Sequence, residues 1–502
     1  MASLLLSHGL VVDGTGTPAV PADVLIQDDR ISAVGSIARS PDLPTLNCEG
    51  LVIAPGFIDG HSHSDLQVLE RRDDKLRQGV TTEVVGNCGF SAYPATGDRC
   101  ALHAFANGIL CGGEEWGWPT AAGYLEAVRD SHGNVNVVSL VGHGALRIAH
   151  AGPRVGPLRH DELAAMERGL DAALDEGAAG FSTGLTYAPG SSAPFDELER
   201  LCAVVARHGA IYTSHIRSYF GELVEAVEEQ LELARRTGCR LQISHLQAAG
   251  ARNWPLQELA LERIERAAEQ GLDVAFDCYP YRAGSTVLTQ ILPQWALDGG
   301  VPGLLQRLAS SSERRRIAEE TEANLAWNWS DIFISAVGSD GNRPLVGRNL
   351  AEIAEDRECK PVVVTLDLLV EEGGNVNMLS FNQSEENLRR TVTHPLSTII
   401  SDGFYVKGRP HPRLHGTFAQ LLGAVCRDWG WLSLEEAVRK ITGAPAARYR
   451  LARRGHLAPG YFADITVFDP ADVGSPATYE DPEAAPRGIR HVFHNGRLEW
   501  ST

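Results

Sequence analysis

The chain reads as an α/β protein: a (β/α)8 TIM-type barrel, a small β-sandwich domain built from both chain termini, and an inserted lid subdomain. Three observations predict this. Both ends are rich in short strand patterns, the middle alternates apolar runs with helical segments, and reactive side chains fall where the middle runs stop.

The elements follow in chain order. Residues 4–12 and 22–36 read as strands joined by the turn Asp13-Gly14-Thr15-Gly16. Val24-Leu25-Ile26 and Ile31-Ser32-Ala33-Val34 flank Asp28-Asp29, a hairpin signal. At the other end, residues 463–468 and 489–500, with Asn495-Gly496 as a tight turn, read the same way. Segments 1–56 and 451–502 are therefore predicted to meet in one β domain. The barrel is predicted over 57–450, with apolar runs at 51–59, 81–86, 135–141, 178–181, 210–214, 240–244, 273–277 and 397–401. Segments 161–176, 222–237 and 255–270 carry apolar residues near helical spacing. The gap from 285 to 396 is too long for one crossover. Residues 285–375 are read as the inserted lid.

Composition excludes several classes. With 43% hydrophobic and 22% charged residues, the 502-residue chain is not disordered, collagenous or a coiled coil. Its 45 Lys+Arg against 64 Asp+Glu give a net charge of −19, which argues against a nucleic-acid or anionic-membrane partner. No stretch approaches the roughly 18 apolar residues of a membrane helix. The N-terminus lacks the basic n-region of a signal peptide, so the expected location is cytoplasmic. Nine Cys with no CxxC pair read as buried thiols in a reducing compartment.

The chemistry sits at strand ends, which in a barrel converge on one mouth. The run 51–59 leads into Gly60-His61-Ser62-His63, and two imidazoles at i and i+2 can grip one Zn²⁺. The run 81–86 leads into Asn87-Cys88-Gly89; Cys88 is either a buried thiol or a thiolate ligand able to bridge two metals. His215 and His245 end two runs thirty residues apart, about one βα unit, which places them on adjacent strands within reach of one ion. Asp402-Gly403 ends the last run as a turn, a metal ligand or a general base. His143 also falls at a strand end and reads as support for the site. Together these groups describe a hydrolase in which a metal-bound water attacks and a carboxylate carries the proton.

These motifs carry a resemblance. Val11-Val12-Asp13-Gly14-Thr15-Gly16, Pro55-Gly56-Phe57-Ile58-Asp59-Gly60-His61-Ser62-His63 and Gln78-Gly79-Val80-Thr81-Thr82 are part of it. Gly86-Asn87-Cys88-Gly89, Gly180-Phe181-Ser182-Thr183-Gly184-Leu185 and Asp277-Cys278-Tyr279-Pro280-Tyr281 extend it. Ser401-Asp402-Gly403, His411-Pro412-Arg413-Leu414 and the stretch from Pro459-Gly460 to Ala463-Asp464 complete it. Over nearly its whole length the chain resembles the amidohydrolase superfamily, and within it the N-acyl-D-amino-acid deacylases (D-aminoacylases). The resemblance implies a tight zinc on Cys88, His215 and His245. It implies a weaker second site on His61, His63 and Asp402, with Cys88 shared. It also implies Asp402 as general base and acid, and Arg413 as partner of the substrate α-carboxylate. Tyr279 and Ser285 would hydrogen-bond the same group, and Tyr187 would line the pocket.

The lysines bear on this reading. Many binuclear superfamily members, such as the cyclic-amide hydrolases, bridge their metals with a carbamylated Lys from a middle strand. No Lys lies between Lys75 and Lys360, which leaves Cys88 as the bridging candidate. Two positions depart from the family pattern: Gln247 where a Lys is frequent, and Tyr219 where an acidic residue is frequent. The lost positive charge disfavours an acidic substrate side chain. The expected reaction is hydrolysis of a small-molecule N-acyl-D-amino acid to a carboxylate and a free D-amino acid. The alternatives are another linear amide (a D-residue dipeptide or an N-carbamoyl compound) and a non-catalytic metal-binding homologue. The oligomeric state stays open.

Overall fold

The computed structural model describes residues 3–112 and 116–502. Residues 1 and 2 of the predicted terminal domain and 113–115 of the predicted barrel lie outside the described residues.

One sheet is built from both ends of the chain. Its order is Arg497–Ser501, Ile489–His494, Ile465–Phe468, Val52–Pro55, Ser3–Val11, Val20–Gln27 and Arg30–Gly35, with Thr45–Asn47 also paired to Ser3–Val11. Alternate residues of these strands, among them Leu6, Val24, Ile26, Ile53, Ile465 and Phe493, pack into a separate apolar core. The termini meet because Val52–Pro55 lies parallel to Ser3–Val11 and antiparallel to Ile465–Phe468.

The pattern at 51–59 predicts one strand, but the chain makes two. Val52–Pro55 belongs to the terminal sheet and Phe57–Asp59 to the barrel. Gly56 joins them where the layers touch: a Cβ there would lie 2.2 Å from Thr81 Oγ1. Both pieces are buried throughout, so hydropathy cannot show where one sheet hands over to the other.

The barrel strands are β1 (Phe57–Asp59), β2 (Val80–Val85), β3 (Asn136–Gly142), β4 (Gly180–Gly184), β5 (Ile211–His215), β6 (Arg240–Ile243), β7 (Val274–Cys278) and β8 (Ser397–Ile399). Each pairs in parallel with the next. β8 and β1 meet just beyond their ends, where His63 N donates to Gly403 O and Asp402 N to His61 O, both at 2.9 Å. The outer helices follow from apolar spacing. In Leu223–Thr237, Leu223, Ala226, Val227, Leu231 and Ala234 form one buried face, and Gly238 at φ 73° ends the helix with a left-handed cap.

Between β7 and β8 the chain builds a further layer. Ala283–Val287, Val376–Phe381 and Ile332–Val337 form an antiparallel sheet, and helices cover it around Leu304, Ile317, Leu350, Ile353 and Leu369. This layer stands beside the barrel mouth, and Ser285, Thr286 and Ser380 from it line the cavity there. Among the described residues no helix is long and apolar enough to cross a membrane.

Candidate metal centre

Four buried side chains converge at the mouth. His61, Cys88, His245 and Asp402 each offer a ligand atom, and these atoms lie within 4.8 Å of one another. Cys88 Sγ is 3.3 Å from His61 Nε2 and 3.4 Å from His245 Nε2. His215 joins from β5, its Nδ1 3.1 Å from His245 Nε2. His63 Nε2 lies 3.2 Å from Asp402 Oδ1. The four-residue cluster thus contains His61 in place of the expected His215, while His215 and His63 each contact one of its members.

The backbone explains how they reach it. Cys88, His245 and Asp402 have φ of 53°, 36° and 49°, the sparsely populated left-handed region. Each sits just past a strand end, so the chain turns inward instead of continuing along the barrel wall. Such conformations persist where surrounding structure fixes them, commonly at functional sites. Gly89 follows Cys88 at φ 78°, and a Cβ there would meet Gly184 N at 2.9 Å.

The electrostatics suit a soft divalent cation. Burial pushes the Cys88 thiol up to about 11, against the opposing pull of His61, so its thiolate needs a positive neighbour. Burial takes His215 down to about 3 and His245 well below its ordinary value, leaving two neutral imidazoles with lone pairs to give. His61 goes the other way: burial alone would lower it, but Cys88, Asp277 and Asp402 together hold it well above the usual imidazole range. A positive charge is therefore favoured at this point. Thiolate, imidazole and carboxylate in one buried cluster form a donor set that zinc accepts.

Arg413 adjoins the cluster through Asp402 and is 1% exposed. One guanidinium nitrogen, Nη2, is 2.9 Å from Asp402 Oδ2 and 3.4 Å from the Ser285 carbonyl. The guanidinium carbon stands 4.6 Å over the Tyr279 ring. Its Nε and Nη1 are buried without a hydrogen-bond partner. Asp402, which burial alone would raise, is held well below the usual carboxylate range by Arg413 first and then by the imidazoles.

The amidohydrolase family model matches residues 45–321 and 354–498. The chain belongs to the amidohydrolase family, in its D-aminoacylase branch. It is 36% identical to the N-acyl-D-glutamate deacylase of Alcaligenes xylosoxydans xylosoxydans, over 98% of this chain and 92% of that one. It is 36% identical to the D-aminoacylase of the same organism, over 99% and 94%. Its fold matches the crystal structure of N-acyl-D-glutamate deacylase from Bordetella bronchiseptica, complexed with zinc and a phosphonate mimic of the tetrahedral intermediate. That match has a TM-score of 0.85 and 35% identity, and covers 99% of this chain and 96% of that one.

The remaining predicted residues of this amidohydrolase fall around the same cavity. Tyr279, Ser285 and Tyr187 line it with His63, Cys88 and Asp402. Tyr187 packs on His215 at 4.9 Å between ring centroids, and its hydroxyl is 2.9 Å from Thr286 Oγ1. Gln247 Nε2 donates to the Tyr279 hydroxyl at 3.2 Å, and Tyr219 packs on both His215 and His245. His143 lines no part of this cavity; its Nε2 is 2.8 Å from Glu197 Oε1 in a buried pair.

Sequence reasoning missed Asp277 as a site residue. At the end of β7, its Oδ1 accepts from His245 N at 2.6 Å and lies 3.6 Å from His61 Nδ1. Carboxylates in this position orient metal-ligating imidazoles. The signal was present, since Asp277 ends a strand like the others. Thr186, 2.7 Å from His215 Nε2, carried no such signal.

Proposed function

We propose that this amidohydrolase cleaves the amide bond of N-acyl-D-amino acids, releasing a carboxylate and a free D-amino acid. The observation that carries the reading is Arg413: a buried guanidinium with two unpartnered donors, directly beside the candidate metal cluster. Unpaired buried donors call for an acceptor. A substrate α-carboxylate supplies one in the planar fork geometry that a guanidinium favours. The names of the relatives, N-acyl-D-glutamate deacylase and D-aminoacylase, support the amide and its chirality.

In this reading Cys88, His215 and His245 hold a tight zinc, and His61, His63 and Asp402, sharing Cys88, hold a weaker one. Zinc bound there activates water and polarises a carbonyl. The protein's own groups do the rest. Asp402 takes a proton on its carboxylate and returns it to the leaving amide nitrogen. Arg413 must then divide its donors between Asp402 and the substrate carboxylate. The Tyr279 hydroxyl and Ser285 hydroxyl hydrogen-bond that carboxylate, and Tyr187 forms the opposite wall. Arg413 is committed to Asp402 and the α-carboxylate, no Lys or Arg is among the described residues lining the cavity, and Gln247 donates to Tyr279, so a neutral side chain suits the cavity better than an acidic one. We take 1–56 with 451–502 as one β-sandwich domain, 57–450 as the barrel, and 285–375 as a lid that excludes water. The substrate is a small molecule and the compartment the cytoplasm.

The test is amine release from paired N-acetyl-D and N-acetyl-L amino acids with apolar, polar and acidic side chains, with and without added Zn²⁺. Release from the D series alone is expected. Release from the L series overturns the chirality, and none from either, with acetyl or longer acyl groups, overturns the reaction.

A further inference from the structure

A second cavity opens beside the metal centre, with a volume of about 240 Å³. Ile109, Tyr187 and Gln290 line both cavities, so the two share a wall. Phe90 continues that wall: its ring lies 6.1 Å from His63 and 4.9 Å from Tyr187, and stacks on Phe105 at 4.5 Å. Beyond it the lining turns apolar, with Val287, Leu297, Val301 and Pro302 from the layer between β7 and β8. Asp98 is its one charged member among the described residues, and that carboxylate already caps a helix by accepting from Ala101 N at 3.1 Å. Asn107, Thr289 and Gln290 add uncharged polar groups, but among the described residues no Lys, Arg or His lines this chamber.

We infer that this chamber receives the acyl chain of the substrate, and that the preferred acyl group is a longer alkyl or aryl chain, not acetyl. The inference rests on the deacylase reading above. It follows from the order of groups along an N-acyl amino acid. The carboxylate is one bond from Cα, where the side chain branches, whereas the acyl chain begins beyond the amide nitrogen and carbonyl. With the carboxylate anchored by Arg413 and Tyr279, after β8 and β7, and the amide over the metal ligands, the side chain branches near the anchor. It lies toward Tyr219 and Gln247, after β5 and β6. The acyl chain crosses the mouth to the loops after β2 and β4, which carry Phe90 and Tyr187. That is where the apolar chamber lies.

The test is kcat/KM for N-acetyl, N-butanoyl, N-hexanoyl and N-octanoyl derivatives of whichever D-amino acid is best in the paired assay. The expected rise is about fourfold per added methylene, the transfer gain of one buried CH2, until the chamber is full. Ala104→Trp, which fills the chamber, is expected to lower the hexanoyl-to-acetyl ratio at least tenfold. Val301→Phe provides the same readout should the first variant fail to fold. A flat or falling series, or a ratio unchanged in a folded variant, overturns the inference and leaves the deacylase reading standing. No hydrolysis at any chain length overturns the deacylase reading instead. The chamber is then read by calorimetric binding of the N-hexanoyl and N-acetyl compounds, where equal dissociation constants overturn it.

Discussion

Asp402 and His61 are joined twice. The Asp402 amide donates to the His61 carbonyl at 2.9 Å, and the Asp402 carboxylate lies 3.3 Å from His61 Nε2. The first bond closes the barrel between β8 and β1, and the second belongs to the candidate centre. The position of the proposed base is therefore set by barrel closure itself. Asp59 reinforces the seam, accepting from Ser401 N at 3.0 Å.

Asp402→Asn keeps this backbone bond and the side-chain volume but removes the proton acceptor. The expected result is a kcat lower by about 10²–10⁴-fold, with the tight zinc of Cys88, His215 and His245 retained. Metal analysis and steady-state kinetics on one preparation check it. Activity at the parent level would remove Asp402 from the role of base.

Cys88 is placed to contribute the one thiolate. Cys88→Ala is expected to weaken zinc binding by at least 10–100-fold, the scale on which even supporting partners of metal ligands act. Chelator treatment of the parent should abolish amine release, and added Zn²⁺ should restore it. Competition with a chromogenic chelator measures the affinities. An unchanged zinc affinity in the variant would place the tight site elsewhere.

Arg413 has two jobs that a pH profile separates. It is the main cause of the lowered Asp402 pKa. Arg413→Gln should raise KM at least tenfold through the lost carboxylate fork. It should also move the acid limb of kcat/KM to higher pH, because Asp402 then protonates more easily. The stability consequence has the same sign. A carboxyl held below its unfolded value of 3.8 stabilises the native state above that pH, and the contribution fades as pH falls toward the folded value. The variant should therefore lose its stability to acid earlier than the parent. Coincident acid limbs would show that Arg413 does not tune Asp402.

Lys75 is fully buried and pairs with two buried carboxylates, Asp59 at 2.8 Å and Glu83 at 3.3 Å. Lys75→Met leaves both without their ammonium partner; Arg72 still reaches Glu83 at 3.2 Å. The expected cost is about 3–5 kcal/mol, the range for breaking a buried ion pair from one side. Urea unfolding of the zinc-loaded protein measures it. A midpoint equal to that of the parent would show that Ser401 and Arg72 suffice to hold the two acids.

Much of this protein was legible in its sequence because strand ends are local events. An apolar run that stops at His215 or His245 reports both the strand and the side chain at the mouth, and β5 and β6 place them side by side with no further information. The spacing of Leu223, Ala226, Val227 and Leu231 likewise declares a helix whatever it packs on. Net charge and cysteine usage narrowed the classes of partner without reference to fold.

Other features depended on contacts that no local pattern encodes. The run 51–59 divides between two sheets at Gly56 because Thr81 stands there, 25 residues away in sequence. His143, at a strand end like the ligands, turns to Glu197 and is absorbed into packing, whereas Asp277, equally placed, meets His61 and His245. The left-handed turns at Cys88, His245 and Asp402, the unpaired donors of Arg413 and the apolar chamber behind Tyr187 all exist only once distant segments are assembled. The sequence by itself determined which residue types arrive at the mouth, because strand length and apolar spacing are written locally. Tertiary structure decided which of them face one another, because burial, unpaired donors and cavity shape are properties of the whole packed chain.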